Sequence, residues 1–424
     1  MMVWLVAWLF ASTAAPADGV VGPSGTLGKE VYRARRQAVL AALKTDAALV
    51  MQNMKFAGDR SGMDFYYLTG IEEPGAALLL IPGELPDKEI LFLDDLNVEA
   101  DRWTGTRATL PSLAMQNATG FDKIARMNQL ASWLINACRH STGLAFIGYF
   151  NDQAQPLEFK PYAKAHEDTL SSCAIKSREG LLGAMRESKS GEEIRLLRQA
   201  VSFTAAGHAA ALATIHAGET EFQLRDAIDA AFRKAGARHV AYDSIVGAGP
   251  DGAILHSARD NRVLQDGNLV VIDAGAESEM YASDVTRTLP VSGHFTVEQR
   301  EVYNVVLRAQ AAGIAAAKPG ATFEQIASAA KKIIEAAGYG DFYFHSVGHF
   351  VGLEVHDAGS YDKPLPVGAV ITVEPGIYLA SRGFGVRIED TVLITKDGNE
   401  VLSKGIPKEI ADIERTMAAR ATAH

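Results

Sequence analysis

Short apolar runs alternate with helical stretches in the first part of the chain. The apolar runs cover residues 47–52, 76–81 and 90–93, and helical spacing covers residues 29–43 and 130–138. Apolar runs of this length predict buried strands, and strands that alternate with helices are typical of an α/β domain. We therefore predict an α/β domain over residues 25–183.

Further along the chain, helices are mixed with strands that follow one another closely. Ser or Thr stands three residues before Glu or Gln at four positions, namely Ser190 with Glu193, Thr220 with Gln223, Thr296 with Gln299, and Thr322 with Gln325. This spacing is the capping box that begins a helix. Strand-like segments cover residues 244–246, 269–272, 284–289, 370–373 and 386–394. The mixture predicts an α+β domain over residues 184–424.

The boundary between these domains is expected where the hydrophobic pattern weakens. Between residues 171 and 191 charged residues become frequent, which indicates a connecting helix or linker. A chain of 424 residues is long enough for two domains. Its net charge of −10 and the absence of a run of basic residues argue against nucleic acid as a partner.

The amino terminus is typical of an exported protein. Residues 2–10 are apolar, and Ala15, Pro16 and Ala17 then offer a small-x-small cleavage site. The apolar run is shorter than the roughly 20 residues that span a bilayer, so no stable membrane anchor is expected. We predict a signal peptide over residues 1–17 and a periplasmic or secreted protein. Because Lys and Arg are missing before the apolar run, a mis-called start, which would leave a cytoplasmic protein, and an uncleaved anchor stay open.

Two cysteines, Cys138 and Cys173, are too few for a disulfide framework. In an exported protein they can pair, and otherwise such residues are small buried hydrophobes. The sequence leaves both possibilities open.

The first candidate for chemistry is a pair of carboxylates within residues 270–291, which read as two strands joined by a polar loop. Period-2 alternation puts Asp273 and Asp284 on matching faces, so a hairpin would bring them together. Buried like charges repel each other and are costly to desolvate. Each Asp alone could cap a turn, whereas a divalent metal would explain both.

Further metal-ligating residues lie near the carboxy terminus. Glu374 ends an apolar strand, and Glu389 stands inside another, where pairing with Arg387 or a solvent-facing strand side is the alternative. Three histidines, His345, His349 and His356, lie within twelve positions, and Ser346 after His345 rules out a zinc-protease helix. A buried structural histidine is the alternative for each of them.

Five of these residues make an oxygen-rich set with one imidazole, namely Asp273, Asp284, His349, Glu374 and Glu389. Two divalent ions would offset four carboxylates. Oxygen-dominated ligation favours Mn²⁺, with Co²⁺, Fe²⁺ or Zn²⁺ as alternatives.

These residues lie in motifs that resemble the pita-bread metallopeptidases, which include aminopeptidase P, prolidase and methionine aminopeptidase. The motifs are VVIDAG, DVTRT, HSVGHFVGLEVHD, VEPGIY and VRIED, together with LHSARDN. DFYYLTGIEEPGAALLL and DRWTGTR resemble the amino-terminal domain of aminopeptidase P, which methionine aminopeptidase lacks. The resemblance implies a creatinase/prolidase-like amino-terminal domain followed by a pita-bread catalytic domain.

The resemblance also implies roles for individual residues. Asp273 would chelate one metal, Asp284 and Glu389 would bridge both, and His349 and Glu374 would ligate the other. A hydroxide between the metals would attack the carbonyl carbon of an Xaa-Pro bond. Glu374 would carry the proton to the proline nitrogen.

Other roles concern the substrate. His356 would donate to the oxyanion, and His256 would hold the substrate near the scissile amide. His345 and Tyr378 would wall the proline pocket, and Arg387 would orient a bridging carboxylate or bind substrate. Trp103 matches a family aromatic residue that reaches a neighbouring subunit's site, in keeping with a homodimer or homotetramer.

The expected activity is that of an Xaa-Pro aminopeptidase acting on proline-containing peptides, and the same ligands leave prolidase as the alternative. Enzymes of the aminopeptidase P type carry an Arg-containing insertion between the positions of His356 and Glu374, and here the segment is short, with Lys363 as its only cation. The aromatic stretch of the first domain favours the aminopeptidase. A metal-free lyase resembling creatinase and a binding module are remoter alternatives, because both would be expected to have lost ligands.

Overall fold

The computed structural model describes residues 27–52, 63–83, 85–95, 99, 102–103, 113–147, 174–178, 180–257 and 261–421. The chain divides into two compact units, Met1–Arg178 and Glu179–His424. The predicted signal peptide and Cys173 lie outside the described residues. In the part of the chain that is described, no helix is long and apolar enough to cross a membrane.

The amino-terminal unit contains one mixed sheet of six strands. In chain order they are β1 (Ala47–Met51), β2 (Ala77–Leu80), β3 (Glu89–Leu93), β4 (Lys123–Arg126), β5 (Leu144–Phe146) and β6 (Ile175–Ser177). The order across the sheet is β4-β3-β2-β1-β5-β6, with β2 antiparallel to both of its neighbours and the other pairs parallel. The predicted α/β class is confirmed. The strand β6 lies where the sequence indicated a linker. Its backbone pairs with β5, although the three residues lie in a charge-rich stretch that lacks a clear hydrophobic pattern.

Helices accompany this sheet, namely α1 (Lys29–Leu43), α2 (Met63–Thr69), α3 (Leu113–Thr119) and α4 (Leu130–His140). Tyr32, Val39 and Leu43 of α1 are buried, as its spacing predicts. Arg36 of the same helix forms a fully buried ion pair with Glu89, with Nε 2.5 Å from Oε2, which ties α1 to β3. Cys138 in α4 is disulfide-bonded.

The carboxy-terminal unit contains six longer helices among its described residues. They are α5 (Leu181–Glu187), α6 (Gly191–Thr214), α7 (Glu221–Ala235), α8 (Val297–Ala316), α9 (Phe323–Ala336) and α10 (Ile410–Ala421). Each of the four predicted capping boxes begins one of them, α6 to α9, with both reciprocal hydrogen bonds present. The sequence therefore predicted these four helix starts correctly, because a capping box depends only on side chains within a few residues of each other.

Strands of the same unit form several small sheets. In chain order they are β7 (Ile245–Ala248), β8 (Leu269–Asp273), β9 (Glu277–Ser278), β10 (Tyr281–Ala282), β11 (Thr286–Pro290), β12 (Val370–Val373), β13 (Gly376–Leu379), β14 (Phe384–Arg387), β15 (Asp390–Thr395) and β16 (Gly398–Val401). The sheets are β11-β8-β7, β12-β15-β16, and the pairs β9-β10 and β13-β14. The predicted α+β class is confirmed.

The prediction of a single strand over residues 386–394 is wrong, because this range contains two strands. The chain breaks at Ile388 and Glu389, so that β14 pairs with β13 and β15 pairs with β12 and β16. Alternation of side chains predicts faces only while a strand continues. Because of the break, Glu389 belongs to neither strand pair. The side chain of the next residue, Asp390, lies in a separate buried site.

Asp390 is the centre of a buried ionic network behind this break. Arg287 donates to it over 2.7 Å and Lys408 over 2.6 Å, and Gln310 and Ser403 also donate. Arg287 in addition donates to the backbone carbonyl of Glu389 over 2.5 Å. Burial by itself raises the pKa of Asp390, but Arg287 and Lys408 hold it well below its usual value.

We expect Asp390→Asn to lower the free energy of unfolding of this unit by about 3–5 kcal/mol, because it leaves the buried Arg287 without its counter-charge. The loss should be full well above pH 3.8, the ordinary pKa of Asp, and should shrink as the pH falls towards the lowered pKa of the folded state. Urea unfolding between pH 3 and 7 measures it. Glu400→Gln, which breaks the half-exposed pair with Arg198, is the control and should cost less than about 1 kcal/mol. An equal effect of both variants would contradict the role of Asp390.

Candidate metal centre

The predicted hairpin exists and carries both aspartates, but its register differs from direct pairing of the carboxylates. Strands β8 and β11 are antiparallel, and Asp273 faces Thr286. Asp284 lies just before β11, in the short segment between β10 and β11. The two carboxylates meet instead at Tyr242, whose hydroxyl lies 2.6 Å from Asp273 Oδ1 and 2.5 Å from Asp284 Oδ1.

The remaining predicted ligands converge on the same place. Asp284, His349 and Glu389 each present one ligand atom, and these atoms lie within 4.8 Å of one another. His349 Nε2 is 3.3 Å from Asp284 Oδ2 and 3.5 Å from Glu374 Oε1. Residues from the hairpin, from the loop before β12, from the end of β12 and from the β14–β15 break therefore meet in one cluster. All five predicted ligands belong to it.

The ring of His349 is oriented for ligation. Its Nδ1 lies 3.0 Å from the carbonyl oxygen of Phe350, and its backbone N–H donates to Thr372 Oγ1 over 3.0 Å. A proton on Nδ1 leaves the lone pair of Nε2 directed at the carboxylates. This is the arrangement in which a second hydrogen bond fixes the tautomer of a metal-binding histidine.

The electrostatics of the cluster show a shortage of positive charge. Burial, and then the neighbouring carboxylates, raise the pKa of Asp284 and of Glu389. Burial also raises the pKa of Glu374, to about 7. The pKa of His349 is raised to about 9, because its contacts with Asp284 outweigh the lowering effect of burial.

Arg387 supplies part of the missing charge. It is buried, donates to Asp273 Oδ2 over 2.7 Å and to Thr286 Oγ1 over 3.2 Å, and keeps the pKa of Asp273 low against the effect of burial. The Tyr242 hydroxyl carries one proton and can donate it to only one of the two carboxylates. Its short contact with the other carboxylate therefore requires positive charge from another source. The residues present therefore fit divalent cations, which would neutralise carboxylates that the protein leaves crowded.

The other predicted histidines surround this cluster. The rings of His356 and His349 are 4.1 Å apart between centroids, and His345 Nδ1 is 3.9 Å from Glu374 Oε2. His256 is exposed and lies close enough to lower the pKa of both His345 and His356, although burial is the larger cause. Both pKa values fall to about 4, so these imidazoles are neutral at pH 7.

Tyr378 links the histidines to Arg387. Its hydroxyl lies 3.0 Å from His345 Nε2 and accepts from Arg387 Nη1 over 3.0 Å. Phe344, 65 % exposed, packs against the Tyr378 ring at 5.3 Å between centroids. Aromatic rings thus line the approach to Glu374. Trp103 belongs to the amino-terminal unit and is 87 % exposed, and its role at a neighbouring subunit's site stays a prediction.

Two functional residues escaped the sequence reasoning. Thr286 donates to Glu389 Oε2 over 2.6 Å, and its position on the Asp284 face of the strand was a usable signal. Tyr242, in contrast, precedes β7 with no informative spacing to either aspartate. Only the folded chain brings it there.

We expect Tyr242→Phe to weaken Mn²⁺ binding by roughly 10–100-fold, as loss of a hydrogen bond to a ligand does. Titration calorimetry on metal-depleted protein measures it. Tyr303→Phe is the matched control, because that buried hydroxyl donates to the Lys408 carbonyl. Equal affinities of wild type and Tyr242→Phe would show that the phenol does not orient the aspartates.

Comparison with known proteins agrees with this geometry. Residues 32–144 match the aminopeptidase P N-terminal domain, and residues 195–396 match metallopeptidase family M24. An Xaa-Pro aminopeptidase of Haemophilus influenzae is 36 % identical, over 92 % of this chain and 98 % of that protein. An Xaa-Pro dipeptidase of Pyrococcus furiosus is 33 % identical, over 81 % and 91 % respectively.

Among solved structures, the aminopeptidase PepP of Pseudomonas aeruginosa is similar, with a TM-score of 0.84 and 31 % sequence identity over 93 % of this chain and 99 % of that one. The expected pita-bread architecture is thereby confirmed. The chain is a metallo-exopeptidase and belongs to metallopeptidase family M24, with the amino-terminal domain of the aminopeptidase P type.

Proposed function

We propose that the chain hydrolyses the bond between an amino-terminal residue and a proline in second position. The observation that carries the proposal is the convergence of four carboxylates on His349. Three of them, Asp284, Glu374 and Glu389, have raised pKa values, which mark a place suited to added positive charge. The similarity of the whole chain to an Xaa-Pro aminopeptidase supports the choice of substrate.

The cluster would hold two divalent cations. Asp273 would hold one of them, His349 and Glu374 the other, and Asp284 and Glu389 both. Oxygen ligands predominate, which favours Mn²⁺, with Co²⁺, Fe²⁺ or Zn²⁺ as alternatives. When bound, the cations would lower the pKa of a shared water to give a hydroxide nucleophile and would polarise the scissile carbonyl.

Glu374 is suited to move the proton. Its Oε1 accepts from Thr372 Oγ1 over 3.2 Å and lies towards His349, whereas Oε2 lies on the side of His345. One oxygen can therefore ligate while the other takes a proton from the attacking water and passes it to the proline nitrogen. Such transfer by a placed carboxylate contributes typically about 10²–10⁴-fold to the rate.

The three other histidines would bind the substrate at its reacting end. His356 beside His349 can donate an N–H to the oxygen that becomes negative, and the exposed His256 can hold the scissile amide. His345 and Tyr378 offer ring faces against which the apolar proline ring can pack. Arg387 holds Tyr378 and Asp273 in place.

Prolidase activity is the runner-up, because the dipeptidase relative is 33 % identical over most of its length. The match of the first unit to the aminopeptidase P N-terminal domain favours the aminopeptidase. A metal-free lyase and a binding module are disfavoured, because all five predicted ligands come together.

We also propose export, which the disulfide at Cys138 supports, since such bonds persist in oxidising compartments. A homodimer or homotetramer is likewise proposed.

The deciding assay uses metal-depleted protein with and without Mn²⁺ on two substrates, Xaa-Pro and Xaa-Pro-Xaa. We expect metal to restore cleavage of the tripeptide at its first bond. Cleavage of the dipeptide alone would establish prolidase activity instead. No metal-dependent cleavage of either peptide would refute the proposal.

We expect Asp284→Ala to remove both bound metal and activity, because Asp284 contacts the rest of the cluster through both oxygens. Metal content by atomic emission and turnover of Xaa-Pro-Xaa measure the two losses. Glu400→Gln is the control and should keep both. Normal turnover with full metal content in Asp284→Ala would contradict the proposed centre.

We expect His356→Phe to retain metal but to lower kcat by about 10²–10³-fold, the usual effect of removing one oxyanion donor. Phe keeps the ring against His349. Steady-state kinetics with saturating Mn²⁺ measure the change, and an unchanged kcat would remove His356 from the reaction.

A further inference from the structure

The loop between His349 and His356 is folded around the carboxylate of Asp357. The backbone N–H of Asp357 donates to the carbonyl of Phe350 over 2.8 Å, and the N–H of Glu354 lies 3.4 Å from Asp357 Oδ1. A Cβ added to Gly352 would lie 2.0 Å from Asp357 Oδ2, so the backbone approaches the carboxylate as only glycine allows. The carboxylate is thus the core of this loop.

Two buried cations neutralise that carboxylate. Arg186 forms an ion pair with Asp357 Oδ1, and Lys189 Nζ lies 3.1 Å from Oδ2, with the two basic side chains 2 % and 1 % exposed. Arg186 also reaches Glu354 Oε2 over 3.1 Å. These cations hold the pKa of Asp357 low although burial raises it. The charge-rich stretch that the sequence indicated as a linker therefore supplies an interior counter-charge.

The segment that carries the cations is itself fixed to the unit. Ser188 Oγ donates to the carbonyl of Val367 over 2.7 Å, and the N–H of Lys189 donates to the carbonyl of Gly368 over 2.9 Å. Helix α6 begins directly afterwards at its capping box on Ser190. The cations are therefore held by contacts other than the ones they make with the loop.

Asp357 and His356 are neighbours with opposite environments. Asp357 is 4 % exposed, whereas the side chain of His356 is only partly buried and lies against His349. Among the described residues, the Asp357 carboxylate contacts its two cations and the backbone of its own loop. A shift of the loop would move the His356 ring, and misplacement of a catalytic group by about 1 Å can cost roughly 10²-fold in rate.

We propose that Asp357, clamped between Arg186 and Lys189, is a positioning residue that fixes His356 beside the metal centre. The proposal rests on the proposed function and deepens it, because it gives the start of the carboxy-terminal unit a part in orienting the oxyanion donor. Asp357 acts through His356 and does not touch the substrate.

A double-mutant cycle tests this relation, with kcat and KM for Xaa-Pro-Xaa measured at saturating Mn²⁺. Asp357→Asn should lower kcat by about 10–100-fold and leave KM within about threefold, because geometry at the reacting centre is lost. In the His356→Ala background the same change should cost less than about twofold, since its target is gone. Equal losses in both backgrounds, or no loss in either, would overturn the proposal.

Further variants separate positioning from general damage. Val306→Ala removes buried volume in α8 and should lower stability without changing kcat. Arg186→Gln should repeat the Asp357→Asn effect, and Arg186→Lys, which restores the charge, should recover part of it. If Asp357→Asn does not fold, Lys189→Met enters the same cycle with the same criterion.

Hydrogen exchange gives a readout that does not need activity. Amides of residues 350–357 should exchange faster in Asp357→Asn than in wild type, while those of α8 keep their protection. Unchanged protection of the loop would overturn the clamp even if wild type cleaved neither peptide. An inactive wild type whose loop loosens in Asp357→Asn would refute the proposed function and leave the clamp intact.

Discussion

Mutual repulsion of carboxylates is the constraint on which the catalytic unit depends. Asp273, Asp284, Glu374 and Glu389 are brought to one place, and burial raises the free energy of their charged forms. Arg387 and His349 offset part of this charge. The repulsion among these charges is also what would attract divalent cations to the cluster, so the crowding of the carboxylates and the proposed metal binding have one cause.

Holding the cluster together requires rigid support on its far side. Arg287, paired with Asp390, donates to the backbone carbonyl of Glu389. The Thr391 hydroxyl donates to the backbone carbonyl of Asp284 and so joins β15 to that residue. The Asp357 clamp does the same for the histidine loop. Buried ion pairs of this kind are seldom net stabilisers compared with apolar packing. Their contribution here is to fix the direction of the side chains beside them.

The arrangement also separates the two tasks of a peptidase. Carboxylates and His349 would hold the cations, whereas the neutral His345 and His356, with pKa values of about 4, would face the substrate. The same burial therefore has opposite effects on acidic and basic groups, favouring the neutral form of each. Charged imidazoles at these positions would repel the cations, so their neutrality fits the proposed chemistry.

The sequence by itself determined the helix starts, both fold classes and the identities of the residues that cluster at the centre. Capping boxes and apolar periodicity act over a few residues, so they can be read locally, as at Ser190 and Thr296. The five candidate ligands could be picked out by residue type and strand pattern, and the motif resemblance then implied a role for each of them.

Tertiary structure alone decided the contacts between distant segments. Tyr242 bridges Asp273 and Asp284, the strand at 386–394 breaks at Glu389, and Arg186 crosses to Asp357. Each depends on packing and on the desolvation of charge, which no spacing along the chain encodes. A charged stretch reads as solvated linker in sequence, and only the fold shows that its cations are buried against a carboxylate.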